Sequence, residues 1–396
     1  MTLSLRLPLA SGATEVYRLR EASAFAAPGR PPRFDRIAYS AAHVVADPRA
    51  ATNPWLAAAL DWDATIACRQ RLWSLGFGVA EAMDTAQRGM GLDWPTSLEL
   101  IRRTLDAAKG VPGALVAAGC GTDHLEAEAA RHVDDVIRAY EEQMAAIEAL
   151  GGKLIVMASR ALARVATGPA DYERVYDRIL MQSRQPVILH WLGDMFDPAL
   201  AGYWGSDDTD RAMATALGVI AANPGKVDGI KISLLDKDKE IAMRRRLPQG
   251  VRMYTGDDFN YAELIAGDGV GAAANHRHSD ALLGIFDAIA PAASAALAAL
   301  AAGDKQRFHA ILAPTVSLSR HVFQAPTRFY KTGIIFLSWL AGHQSHFTMV
   351  GGQQSARSIL HFSEALRLAD AAGLIERPEL AVERMTHLLA LHGIDG

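Results

Sequence analysis

Leucines at positions 3, 5, 7 and 9 alternate with other residues at the start of the chain. Strand side chains alternate between faces, so this period of two predicts a strand over residues 2–9. A second short run at 16–20 follows Ser11-Gly12-Ala13-Thr14 and predicts its hairpin partner. A proline-rich link over 27–33 closes this N-terminal β-hairpin extension, residues 1–35. From Arg36 the pattern changes, and short apolar runs alternate with longer amphipathic stretches. The runs predict strands at 37–45, 78–83, 113–118, 154–158, 186–190, 229–233, 252–255 and 269–274. The amphipathic stretches predict helices at 55–75, 96–108, 133–150, 170–182, 209–223, 237–245 and 261–266. Strands joined by crossover helices imply the α/β class, with a parallel (β/α)₈ TIM barrel over residues 36–278. Beyond Ser279 the pattern is helical throughout and alanine-rich at 288–302. Residues 279–396 therefore read as a C-terminal helical extension packed on the barrel.

Composition narrows the function classes. Half of the 396 residues are hydrophobic, 21% are charged and the formal net charge is −4. Nothing in that balance points to nucleic acid or an anionic membrane as a partner. The tightest arginine cluster, 244–246, ends a helical stretch, where cations suit the dipole. The two cysteines, Cys68 and Cys120, are far apart, which excludes a disulfide framework and a cysteine zinc site. The N-terminus lacks a basic-then-apolar signal pattern, and no apolar run reaches the ~20 residues of a membrane span. A cytoplasmic location is expected.

The candidate chemistry begins at V-D-G-I-K-I-S, residues 227–233, where Lys231 lies between two isoleucines. Alternation puts Ile230 and Ile232 on one face and Gly229, Lys231 and Ser233 on the other. An ammonium in an apolar strand is costly without partners or a task, and desolvation lowers its pKa toward that of an imine-forming amine. A satisfied structural lysine is the competing reading. In a (β/α)₈ barrel, functional groups cluster at the C-terminal strand ends. Those positions here hold His43, Glu81, Asp84, Asp123, His124, Ser159, Arg160, His190, Lys231, Asp257, Asp258, Asn275 and His276. The Gly119-Cys120-Gly121-Thr122-Asp123 turn lacks the lysine and spacing of a phosphate loop.

Three segments together carry a family resemblance: V-D-G-I-K-I-S, then Y-T-G-D-D-F at 254–259, then G-D-G-V-G-A-A-A-N at 267–275. With A-A-G-D-K-Q-R-F-H-A-I-L and F-Y-K-T-G in the tail, the chain resembles the dihydrodipicolinate synthase and N-acetylneuraminate lyase superfamily. These are barrels that form a Schiff base between a lysine and a keto substrate. The resemblance covers most of the chain from Arg36. It implies that Lys231 forms the imine, with no cofactor beyond that covalent link, and that the chain forms a homo-oligomer, dimer or tetramer.

Two departures modify the expectation. The family's tyrosine and asparagine at the end of strand five are replaced by His190 and Trp191, so His190 becomes the candidate proton shuttle. The family's carboxylate-gripping G-T-T-G-E becomes E-A-M-D-T-A-Q-R-G, which keeps Thr85, adds Glu81 and Asp84, and leaves Arg88 as the candidate clamp. The expected substrate-binding set is Glu81, Asp84, Thr85, Arg88, Asp257, Asn275 and His276. Carboxylates that cap helices are the plain alternative, above all for Asp93 and Asp123.

The leading expectation is therefore a Schiff-base lyase or aldolase acting on a small carbonyl compound in carbohydrate catabolism. That substrate is a keto sugar, a related hydroxylated ketone or a keto acid. One alternative is a divalent-metal barrel isomerase, epimerase or aldolase using Glu81, Asp84, Asp123, His124 and His190, with His43 of a suitable type. A second is a non-catalytic ligand-binding barrel.

Overall fold

The computed structural model describes residues 3–20, 25, 29–271 and 273–394, so the 27–33 link lies partly outside the described residues. The elements begin with β1 (Ser4–Pro8), β2 (Thr14–Arg18), β3 (Ala38–Ala41), α1 (Trp62–Ser74), β4 (Gly78–Glu81), α2 (Trp94–Ala108), β5 (Val116–Cys120) and α3 (Val133–Ala149). Next come β6 (Lys153–Val156), α4 (Arg160–Val165), α5 (Pro169–Gln182), β7 (Val187–Leu192), α6 (Thr209–Ala222), β8 (Val227–Ser233), α7 (Lys237–Arg244) and β9 (Arg252–Thr255). The last are α8 (Tyr261–Ala266), β10 (Asp280–Leu283), α9 (Ile285–Ala288), α10 (Ala290–Ala301), α11 (Lys305–Val322), α12 (Tyr330–Leu340), α13 (Ile359–Ala371) and α14 (Pro378–Leu391). The chain divides into two compact units, one of Arg36–Ala42 and Phe77–Leu283, the other of Met1–Asp35, His43–Gly76 and Gly284–Gly396.

The first unit is a closed barrel of the eight strands β3 to β10, each parallel to its neighbours. β10 seals it against β3 with Leu282 beside Tyr39. Inward positions of successive strands (Tyr39, Ala41, Ala80, Ala117, Ile155, Ile188, Tyr254 and Leu282) form the lumen core. Two large rings fill its lower half, Tyr39 and Tyr254, with centroids 6.2 Å apart. Glycine makes room for them: a Cβ on Gly78 would lie 2.6 Å from the Tyr39 ring, and one on Gly229 2.7 Å from the Tyr254 ring. The Tyr254 hydroxyl donates to Asp228 at 2.7 Å, which satisfies its buried polar end.

The eighth strand differs from expectation. The predicted strand at 269–274 is a loop in its described residues, followed by a 3₁₀ turn at Ala274–His276, and the true strand is β10. Gly267, Gly269 and Gly271 take φ of +69°, +71° and +146°, backbone that a parallel strand does not use. The run that does pair, Asp280–Leu283, is four residues long and follows a polar stretch, so its pattern is weak.

In the second unit β1 and β2 pair as the expected hairpin, with Leu5 opposite Tyr17 and Leu7 opposite Glu15. The hairpin is tied to α13 by Tyr17, which donates to Asp370 at 2.7 Å, and by Arg367 with Glu15 at 2.7 Å. Every residue of α12 is buried, as its near-uniform apolar sequence requires. Among the described residues no helix is long and apolar enough to cross a membrane.

Candidate active site

Alternation along β8 carries Gly229 onto the Tyr254 ring and therefore turns Lys231 into the lumen. Lys231 is 7% exposed. Its stem is pressed against the turn after β9: a Cβ on Gly256 would lie 2.7 Å from Lys231 Cε and 2.3 Å from Ser233 Oγ. Burial lowers the ammonium's pKa from its ordinary value, against the opposing pull of the Asp84 and Asp258 carboxylates. Two forces thus act on this amine: desolvation favours the neutral form, and the two carboxylates keep it within reach of a proton.

His190 is the register partner of Lys231 on the adjacent strand β7 and is 1% exposed. Burial, reinforced by the Lys231 charge, holds its imidazole well below the ordinary histidine range, so it is neutral at physiological pH. Its Nε2 lies 3.5 Å from Ser233 Oγ, a long contact. His190 and Asp84 both line a cleft of about 640 Å³, whose wall also includes Thr122, Asp123, Arg88, Arg160, Arg164 and Asp197.

The structure distributes the expected site residues unevenly. Lys231, His190, Asp84 and Asp258 come together, whereas Arg88 is already engaged. Arg88 Nε and Nη2 donate to the two oxygens of Asp123 at 2.8 and 2.7 Å, Nη2 also to Gln143 at 2.6 Å, and Nη1 to the Gly119 carbonyl at 2.8 Å. These bonds consume the guanidinium fork that a substrate carboxylate would need. Glu81 faces away from the lumen: one oxygen accepts from the Ala82 amide at 2.7 Å, the other from Thr104 of α2 at 2.6 Å. Thr85 is fully buried in the turn after β4. Asp257 closes its own turn, accepting from the Phe259 and Asn260 amides and from the Asn260 side chain.

Asn275 and His276 are misplaced by the sequence reading. They precede β10 and bond to carbonyls of the loop before β9, Asn275 to Pro248 and Val251 and His276 to Leu247. That is the opposite end of the barrel from Lys231 and His190, because the strand lies after these residues and not before them. His124 meets Gln143 at 2.8 Å and Glu142 at 3.3 Å. His43 belongs to the other unit, where its Nδ1 meets Asp287 at 2.6 Å and its Nε2 meets Gln344 at 3.1 Å. Among the described residues no three His, Cys, Asp or Glu side chains are grouped to hold a metal ion.

Ser159 and Arg160, read from the sequence as strand-end residues, meet partners near the cleft that carry no sequence signal. Thr122 and Ser159 pair their hydroxyls at 2.6 Å, and Tyr203 accepts from the Ser159 amide at 3.0 Å and meets the Tyr176 hydroxyl at 2.9 Å. Tyr140 caps the same corner by donating to the Met157 carbonyl at 2.5 Å. These tyrosines come from two helices and a loop, and no spacing in the chain relates them. Arg160 and Asp197 form an ion pair at 2.5 Å at the cleft wall.

No curated protein matches the sequence. Solved structures of the dihydrodipicolinate synthase family match the fold. With YagE, a prophage protein of that family from E. coli K12 in complex with pyruvate, the TM-score is 0.64 at 15% identity, over 86% of this chain and 100% of that one. With the chloride-inhibited dihydrodipicolinate synthase from Acinetobacter baumannii complexed with pyruvate it is 0.61 at 15% identity, over 86% and 99%. With the Oceanobacillus iheyensis dihydrodipicolinate synthase it is 0.59 at 15% identity, over 84% and 96%. At such identities the likeness establishes the barrel fold and its helical extensions. The sequence itself matches, over residues 5–394, the model of the family described as "protein of unknown function (DUF993)", and the chain belongs to that family.

Proposed function

We propose that this protein is a class I lyase of the aldolase type, in which Lys231 forms an imine with a small carbonyl substrate. The observation that carries the reading is the placement of a buried lysine of lowered pKa at the C-terminal end of β8, beside a neutral histidine that opens onto a cleft. The neutral amine adds to the substrate carbonyl, and the resulting carbinolamine loses water to leave a protonated imine. That cation accepts the electron pair released when the adjacent C–C or C–O bond breaks, and the same steps in reverse would form the bond. His190, neutral and within the cleft, takes and returns the substrate proton. The fold likeness to two proteins of the dihydrodipicolinate synthase family solved in complex with pyruvate supports a carbonyl compound as the ligand class.

The cleft wall favours a hydroxylated, uncharged substrate body over a small keto acid. Five carboxylates line it (Asp84, Asp123, Glu126, Glu128 and Asp197) against the three arginines Arg88, Arg160 and Arg164. Arg88 and Arg160 are already paired with Asp123 and Asp197. Carboxylates accept hydrogen bonds from hydroxyls but repel an anion. A keto sugar or hydroxylated ketone fits this lining, and a volume of about 640 Å³ exceeds what a three-carbon acid fills. The test is a panel of hydroxylated ketones and 2-keto acids, each offered with borohydride. The hydroxylated ketones should label the protein, and a panel in which only short keto acids do so would reverse the substrate assignment.

A further inference from the structure

Glu81 is fully buried and has no place in the chemistry above. It ends β4 on the outer face of the strand, where Oε1 accepts from the Ala82 amide at 2.7 Å and Oε2 from the Thr104 hydroxyl of α2 at 2.6 Å. Ala82 is where the chain bends out of the sheet, with φ at +52°, left-handed backbone that costs energy for a residue with a Cβ. Side chains hold both of its polar groups, Glu81 the amide and Arg88 Nη1 the carbonyl at 3.4 Å. That carbonyl occupies the space left by a missing side chain: a Cβ on Gly119 of β5 would lie 2.7 Å from it and 3.0 Å from Met83 Sδ. The bend also changes which residues face inward. With Ala80 in the lumen, an unbroken strand would carry Met83 outward, like Glu81, and Asp84 into the core. Instead Met83 packs in the lumen core, and Asp84, half-buried among buried neighbours from 81 to 88, lines the cleft with His190. The Ala86 amide closes this turn on the Met83 carbonyl at 3.0 Å, and the Gln87 amide on that of Asp84 at 2.9 Å.

From this arrangement we infer that Glu81 is a positioning residue: from the outer face of the barrel it holds Ala82 in the left-handed bend and so sets the Asp84 carboxyl in the cleft beside His190. The catalytic consequence rests on the lysine reading, but the bend itself does not. Without Glu81 the Ala82 amide is a buried donor that has lost its acceptor, and the strained φ loses what fixes it. The turn then loosens and Asp84 drifts. Asp84 on this turn and Asp258 on the turn after β9 both attract the Lys231 ammonium, while His190 on β7 faces it uncharged. Removing the Asp84 charge, or letting it drift, therefore lowers the pH at which Lys231 becomes a free amine. Glu81→Gln keeps the bend, because its side-chain oxygen still accepts from Ala82 and its NH₂ donates to the Thr104 hydroxyl.

Hydrogen exchange of the full chain, read on peptides that contain the Ala86 and Gln87 amides, tests the bend without any substrate. Glu81→Ala should exchange there about 10-fold faster than wild type, and Glu81→Gln within about 2-fold of it. Wild-type protection in Glu81→Ala, or equally fast exchange in Glu81→Gln, would overturn the inference. If Glu81→Ala does not fold, Thr104→Val takes its place: loss of the tether to α2 should raise exchange about 5-fold, and no rise would overturn the inference. The pH profile of adduct trapping with cyanoborohydride reads the catalytic consequence. Asp84→Asn and Glu81→Ala should each move its midpoint down by at least about half a unit, and the double variant no further, because Glu81 acts through Asp84. A lower yield with an unmoved midpoint in Glu81→Ala, or shifts that add in the double variant, would end the positioning role. No wild-type adduct with any carbonyl would remove the lysine reading and leave the exchange result to decide the bend.

Discussion

Replacing Arg88 with alanine separates a structural arginine from a substrate clamp. The side chain is 5% exposed and makes five charge-assisted bonds, two to Asp123, one to Gln143 and one each to the Gly119 and Ala82 carbonyls, while its guanidinium lies 5.0 Å from the Trp94 ring. Burial would raise the Asp123 carboxyl, but Arg88 beside it holds it below the usual range. Truncation leaves Asp123, whose side chain is 22% exposed and faces the cleft, without its cation and also takes a donor from Gln143 and the Gly119 carbonyl, a combined change of about 3–5 kcal/mol by comparison with buried pairs. With an unfolding entropy of roughly 2.1 cal/mol/K per residue over 396 residues, a loss of about 4 kcal/mol lowers Tm by about 5 °C. The assay is denaturant and thermal unfolding of Arg88→Ala, Asp123→Asn and the double variant. The cycle should return a coupling of at least about 2 kcal/mol. A Tm within about 1 °C of wild type, combined with a selective rise in KM for carboxylate-bearing substrates, would show that Arg88 grips substrate and would refute the assignment.

Further outcomes follow from the same geometry. Gly256→Ala introduces a Cβ 2.3 Å from Ser233 Oγ, 2.6 Å from the Ile232 carbonyl and 2.7 Å from Lys231 Cε. Overpacking of this kind costs about 1–3 kcal/mol and should displace the lysine, so adduct formation falls sharply in a protein that still folds; unchanged trapping would contradict the contact. Nitrogen-15 spectra should show His190 neutral at pH 6 while His43 keeps both ring protons at pH 8. Burial alone would lower His43, but the Asp287 carboxylate more than reverses it and pushes it up to about 10, so its stabilising contribution is complete below 6.5 and is lost as pH rises through 10. A His190 midpoint between pH 6 and 7 would contradict its burial. Burial pushes the Glu240 carboxyl of α7 up to about 8, above the ordinary 4.5, so its contribution declines as pH rises from 4.5 through 8. Glu240→Gln should therefore become the more stable protein above pH 8, by at most about 5 kcal/mol at 1.36 kcal/mol per unit; parallel stability curves would sink this.

The barrel was legible because seven of its strands are apolar runs bounded by turn residues, with helices of clear 3.6 period between them. β10 was not, since only Ala281, Leu282 and Leu283 carry its pattern and the glycine-rich loop before it imitates a strand end. That one slip moved Asn275 and His276 to the wrong end of the barrel. Lys231 could be read because period-two alternation fixes which residues of its strand face the lumen, and His190 because it falls at the end of the neighbouring apolar run. Glu81 failed the same reasoning: it occupies the outward position of β4, where α2 offers it Thr104. Arg88, the tyrosine corner and the Glu240–Ser279 bond depend on groups brought together across 17 to 55 residues of chain, and no local pattern encodes those meetings.

The central claim is that Lys231 forms a covalent imine, and mass spectrometry after borohydride reduction tests it most directly. Wild-type protein incubated with hydroxylated ketones and 2-keto acids should gain the mass of one reduced carbonyl compound, located by peptide mapping on Lys231, while Lys231→Ala gains none. No adduct with any carbonyl compound, or a label on other lysines that persists in Lys231→Ala, would contradict the account.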